Sequence, residues 1–196
     1  MMKFTRYAAS ALCVSVLAAC SSAPVHFHTL VPPAATPVAT ASPFLIDVLA
    51  VAVPPQVDQP SMVLRSGSSS VSVLDGERWA SPLGDEIRSA LAADLSSRLG
   101  THDVHGLPRA KDAKVVAVQV DVRRFDSELG GSATLEAAWS VRGQAQAANC
   151  ASRVVEPAGG SYDTLVDAHQ RALAQLADQI ATASRSIAAG QAATCP

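Results

Sequence analysis

The sequence predicts an α+β fold, an α/β sandwich in which a mixed β-sheet is packed by two long amphipathic helices behind a lipidated, disordered tether. Three observations predict it. The apolar periods run strands, helix, strands, helix between residues 44 and 196. A tract of proline, alanine, threonine and serine precedes them. The amino terminus carries an export signal. The expected organisation is residues 1–19 as a cleaved signal peptide, 20–43 as lipidated tether, and 44–196 as one globular domain.

Lys3 and Arg6 are followed by an apolar run from Tyr7 to Ala19 and then by Leu17-Ala18-Ala19-Cys20. A basic start, a short apolar stretch and small residues before a cut define a secretory signal, too short for a membrane span. With the cysteine the tetrapeptide resembles a bacterial lipobox, which implies cleavage, a diacylglycerol on the Cys20 sulfur and an acyl group such as palmitate on its new amine. The alternative is an ordinary secreted protein cleaved near Ala19. Several acyl chains at ~0.8 kcal/mol per buried CH₂ hold firmly. Ser21 and Ser22 stand where an aspartate would suggest inner-membrane retention, so the expected location is the periplasmic face of the outer membrane.

Removing residues 1–19 leaves 177 residues, with 13 basic and 17 acidic side chains, a formal charge of −4. This is one domain's worth of core. The mild acidity, without a lysine or arginine cluster, gives no footprint for nucleic acid and no polybasic patch for anionic head groups. Of the four cysteines, Cys150 and Cys195 remain for the folded domain. In an oxidising compartment they either pair, pinning the C-terminal tail, or stay as two independent thiols.

Ser21 to Pro43, including VPPAATPVATASP, buries too little to fold and is kept extended by its prolines. A tether of ~20 residues spans several tens of ångströms at ~3.3 Å per residue. HFHTL at 26–30 interrupts it, as a short strand or a docking segment. Ile46–Val53, IDVLAVAV, reads as a buried strand closed by Pro54-Pro55, and residues 62–65 and 71–74 as a hairpin around SGSSS. Leu83, Ile87, Leu91, Leu95 and Leu99, with Ala90, form one helical stripe. Ser81 is expected at the N-cap, Pro82 at the first helical position and Gly100 beyond the end.

Val116, Val118, Val120 and Val122 alternate with Ala117, Gln119, Asp121 and Arg123. Leu135, Ala137, Trp139 and Val141 do the same, giving two half-buried strands about an LGGS loop. A shorter strand is expected near Ser152–Glu156. After Gly159-Gly160, Leu165, Ala168, Ala172, Leu176, Ile180, Ala183 and Ile187 mark a long amphipathic helix, with His169 on its polar side.

No nucleophile has a base at a family spacing and no glycine-rich loop is set to cradle phosphate, so no catalytic residue and no cofactor is expected. His26, His28, His102 and His105 lie in segments that read as solvated, and no metal site is expected. In ERWASPL, Trp79 has two readings, a hydrophobic anchor under the helix start or a contact residue at a subunit or partner surface.

The lipobox, IDVLAVAVPPQVDQPSMVLR, ERWASPLGDEIRSAL, the strand with Trp139 and the helix beginning YDTLVDAHQRALAQLA together resemble the PqiC/YmbA-like auxiliary lipoproteins of ABC-type transport systems. The most specific parts are Val53–Arg65 and Arg78–Leu83; the family's early YxL is HTL here, with His28 for the tyrosine. The resemblance implies a non-enzymatic, homo-oligomeric partner of an MCE-domain periplasmic channel protein in intermembrane lipid transport. Arg65, Arg78 and Trp79 are then the candidate interface residues. Two other classes remain open, a periplasmic domain that carries lipid in its own cavity and an envelope-assembly lipoprotein.

Overall fold

A computed structural model describes residues 24–33 and 41–195; residues 1–23, 34–40 and 196, with Cys20 among them, lie outside the described residues. The architecture is α+β, and its strands divide into two mixed sheets. One has three strands in the order β1-β4-β3, formed by β1 (His26–His28), β3 (Ser61–Arg65) and β4 (Val71–Trp79). The other has four in the order β2-β5-β6-β7, formed by β2 (Leu45–Val48), β5 (Val115–Ser127), β6 (Ser132–Arg142) and β7 (Ala147–Pro157). The helices are α1 (Leu83–Leu99) and α2 (Tyr162–Ala188).

The alternation of β5 and β6 places Val116, Val118, Val120, Val122, Leu135, Ala137, Trp139 and Val141 in the core. Their neighbours stay half-buried or exposed on the other face. A bulge between Val122 and Arg124 shifts the register, so the inward positions of β5 change parity and Phe125 and Ser127 become buried. Strand β7 runs eleven residues, longer than the five expected, because β6 pairs it along its whole length from Ser132–Pro157 to Arg142–Ala147.

All six stripe residues of α1 are buried, and Gly100 ends the helix at φ 59°, the left-handed region open to glycine. Ser81 is not the N-cap. Pro82 takes that position, and the Ser81 hydroxyl donates instead to Glu86 Oε1 at 2.8 Å. Gly84 is required: a Cβ there would stand 2.7 Å from the Val51 carbonyl oxygen. This approach accompanies a shorter first strand than IDVLAVAV suggests. β2 stops at Val48, and only Ala52 bridges again, to Asp121.

Helix α2 begins with a capping box, Ser161 Oγ accepting from the Thr164 N–H. It buries every stripe residue read from the sequence, and also Val166, Leu173, Ala177 and Ala181, because it lies against both α1 and the four-stranded sheet. Cys150 and Cys195 are joined by a disulfide closing a sequence separation of 45. In the chain-entropy account such a loop contributes ~4 kcal/mol. Cys195→Ser is accordingly expected to lower the unfolding free energy by up to that amount, measured by urea titration with and without reductant.

His169 corrects the sequence reading. It is not on a polar face but fully buried, with its ring stacked on Phe125 at 4.0 Å and Nε2 2.8 Å from Ser127 Oγ. Nδ1 has no partner. The less costly tautomer therefore carries the proton on Nε2, donating to Ser127, because a bare lone pair is cheaper to bury than an N–H. Burial pushes its pKa down from 6.5 to about 3. The unfolded chain thus binds the proton first on acidification, so this contribution is whole above pH 6.5 and is lost as pH falls toward 3. The expected loss is up to about 1.4 kcal/mol per pH unit. His169→Gln should flatten the stability profile between about pH 6.5 and about 4.5, before the carboxylates titrate.

Candidate contact surface on the three-stranded sheet

The segment 20–43, expected to be tether, contributes part of the folded body. His26, Phe27 and His28 pair in parallel with Glu77, Arg78 and Trp79. His28 Nε2 lies 2.6 Å from Glu77 Oε2, and His26 Nδ1 lies 3.0 Å from Glu77 Oε1. The His28 hydrogen bond, aided by His26, holds the Glu77 carboxyl below its ordinary range. These histidines are strand residues rather than solvated tether. Beyond them Leu30 is fully buried, and the Glu86 carboxylate accepts from the Leu30 N–H and the Thr29 hydroxyl, both at 2.8 Å. The chain is fixed again at Ser42, whose N–H donates to the Gly100 carbonyl at 3.1 Å.

The loop after α1 is likewise tied down. His105 Nδ1 is 2.9 Å and Arg109 Nη1 3.0 Å from the carboxylate of Asp47 on β2. Burial opposes the Asp47 charge, but these two partners outweigh it and keep the acid below its usual range. Asp103 accepts from Arg88 and from the Val48 N–H. Among the described residues no group of three or more His, Cys, Asp or Glu side chains could hold a metal ion.

Trp79 is 4% exposed and meets Phe125 edge-on at 6.1 Å. Trp79, Phe125 and His169 thus form an aromatic column joining β4, β5 and α2. Arg65 makes a two-pronged contact with Asp126 at 3.1 and 3.2 Å, in a cleft of about 290 Å³ with Val63, Val71, Phe125 and Arg124 on its walls. Desolvation works against the Asp126 charge, yet Arg65 and Arg124 hold its carboxyl below the normal range. Arg78 is half-buried and donates to the Asp75 carbonyl. It lines a second cleft, of about 460 Å³, with Phe27, Pro60, Trp79 and Pro82. The three interface candidates therefore belong to one small sheet, and the two clefts share no residue.

Glu77 and Glu86 are the residues that sequence reasoning missed. Glu86 reads in the sequence as an acid at a helix start. Its second role depends on a segment more than fifty residues away, and no local pattern reports that.

The fold and surface define a small α+β domain with one contiguous buried core, several open clefts and, among the described residues, no helix long and apolar enough to cross a membrane. The chain belongs to the ABC-type transport auxiliary lipoprotein component family, whose pattern it matches over residues 28–181. Two solved structures share the fold. One, of an uncharacterized protein, is 23% identical with a TM-score of 0.65, covering 81% of this chain and 97% of the other. The second, a Xanthomonas campestris protein of family DUF330, is 18% identical with a TM-score of 0.61 over 82% and 95% of the two chains. No curated protein matches the chain.

Proposed function

We propose that this lipoprotein is an outer-membrane-anchored accessory subunit of an MCE-type ABC system for intermembrane lipid transport, and that it acts by binding rather than by catalysis. The observation that carries the reading is the family match from residue 28 to 181, which spans both specific segments, Val53–Arg65 and Arg78–Leu83. Cys20 is the proposed anchor. The partner is an MCE-domain periplasmic channel protein, and several copies of the lipoprotein assemble on it. Arg65, with its cleft beside Asp126, is the proposed point of protein contact; Trp79 supports that surface from beneath.

The small side chains on α2 favour this over a lipid-carrying domain. α2 buries Ala168, Ala172, Ala177, Ala181 and Ala183, small side chains that let the layers approach closely and leave little room between them for an acyl chain. The test is an in-cell crosslink with the acylated protein, tagged after Pro196, read by mass spectrometry. An MCE-domain protein as the dominant partner supports the reading, and Arg65→Glu should then reduce its capture. A different outer-membrane protein in its place would move the chain to envelope assembly, and a retained phospholipid to the carrier class.

A further inference from the structure

We infer that the β1 side of the three-stranded sheet rests on the lipid surface that holds the anchor, with Phe27 and Val25 inserted at the interface. The inference depends on the proposed acylation of Cys20. Its first support is distance. Pro24 is the first described residue, and its carbonyl oxygen lies 3.6 Å from where a Cβ on Gly76 of β4 would stand, so the chain is against the sheet from there onward. Pro24 lies four residues beyond Cys20. At ~3.3 Å per residue that stretch reaches at most ~13 Å. The head-group layer takes up ~5–7 Å of that. The β1 edge is thereby confined to within several ångströms of the membrane surface.

The second support is what this edge carries. Of the exposed large apolar side chains among the described residues, Phe27 (66%), Val71 (55%), Val73 (49%) and Val25 (41%) all lie on or beside this one small sheet. Leu107, Leu129 and Val155 are scattered elsewhere. The cause lies in the strand period. His26 and His28 both turn to Glu77, so Val25 and Phe27 take the opposite side, where Arg78 is the cross-strand partner of Phe27. An exposed aromatic ring is favoured at a membrane interface, and the arginine beside it can keep its charged head among the phosphates. Because β1 and β4 run parallel, the chain toward Cys20 leaves on the side of the β3–β4 hairpin that carries Val71 and Val73. The sheet lacks a basic cluster, so contact depends on apolar insertion and resists salt. The cleft at Arg65 shares no residue with that of Phe27 and is left for the protein partner, and Val71 on its wall marks where the lipid-facing edge ends.

The test uses the full acylated chain reconstituted into vesicles of phosphatidylethanolamine and phosphatidylglycerol, with part of the lipid brominated in its acyl chains. Fluorescence of Phe27→Trp is compared with that of Val155→Trp on β7 and with the wild type, whose two tryptophans are buried. The expected result is a blue shift and several-fold stronger quenching at position 27 than at 155, persisting when salt is raised from about 0.1 to about 1 M. Acylated, vesicle-bound protein with position 27 unquenched, or with 155 quenched instead, overturns the orientation and leaves the anchor standing. A chain whose intact mass shows no acyl groups, and which stays off vesicles, overturns both.

Discussion

Trp79→Ala is expected to lower the unfolding free energy by ~3–5 kcal/mol, the range for truncating a large buried aromatic. The indole is 4% exposed and edge-packed on Phe125, which is itself stacked on His169. Its removal opens a void where the two sheets and α2 meet, and the small sheet has no second aromatic contact of this kind with the body among the described residues. Trp79→Phe should lose far less, about 1–2 kcal/mol, because most of the apolar volume is retained. Urea unfolding of the two variants, set beside crosslinking to the partner, separates the roles. If Trp79 supports the surface, capture falls only with the variant that loses stability. An unchanged midpoint with lost capture would assign the indole itself to the interface.

The sequence made the large elements legible because their signals are local. A four-residue repeat from Leu83 to Leu99 and alternation from Val116 to Val122 each have one solution, and the structure adopts it. Ser81 marked the helix start within a residue, but its hydroxyl donates to the charged Glu86 carboxylate rather than its oxygen accepting from a backbone N–H as a cap would. Information that depends on remote pairing was not legible. The split into two sheets, the docking of His26–Leu30 and the burial of His169 all depend on contacts across fifty or more residues or on a bulge that reverses parity. His169 is instructive here. Its helical position lies next to Ala168 in the stripe, and what draws it inward is the face of Phe125, which the bulge at Val122–Arg124 turned toward the core. Of the candidate contact residues, Arg65 and Arg78 are legible as members of specific segments, but their separate clefts are a property of the fold alone.

Glu86→Ala is expected to cost ~2–4 kcal/mol, since it strips a buried charged acceptor from several donors at once. The donors are Ser81 Oγ, Thr29 Oγ1 and the Leu30 N–H, and the last is buried with no replacement acceptor in its hydrogen bonds. Glu86→Gln, which keeps one carbonyl oxygen, should lose about half as much. The effect should also be local. Hydrogen exchange at residues 26–31 is expected to accelerate well before the core strands β5 and β6 respond, because those strands are held by backbone ladders that Glu86 does not touch. Uniform acceleration across β5 and β6 would instead make Glu86 a global core residue. The consequence reaches the membrane. With β1 docked, the body begins four residues beyond the proposed anchor; with it released, the next hydrogen bond to the body among the described residues is at Ser42, twenty-two residues beyond Cys20. At ~3.3 Å per residue the reach grows from ~13 Å to ~70 Å. Quenching at position 27 by brominated lipid should then fall in the Glu86→Ala background while the protein stays on the vesicle, because in the proposed orientation the Glu86 carboxylate, by holding Thr29 and Leu30, sets how far the domain stands from the bilayer.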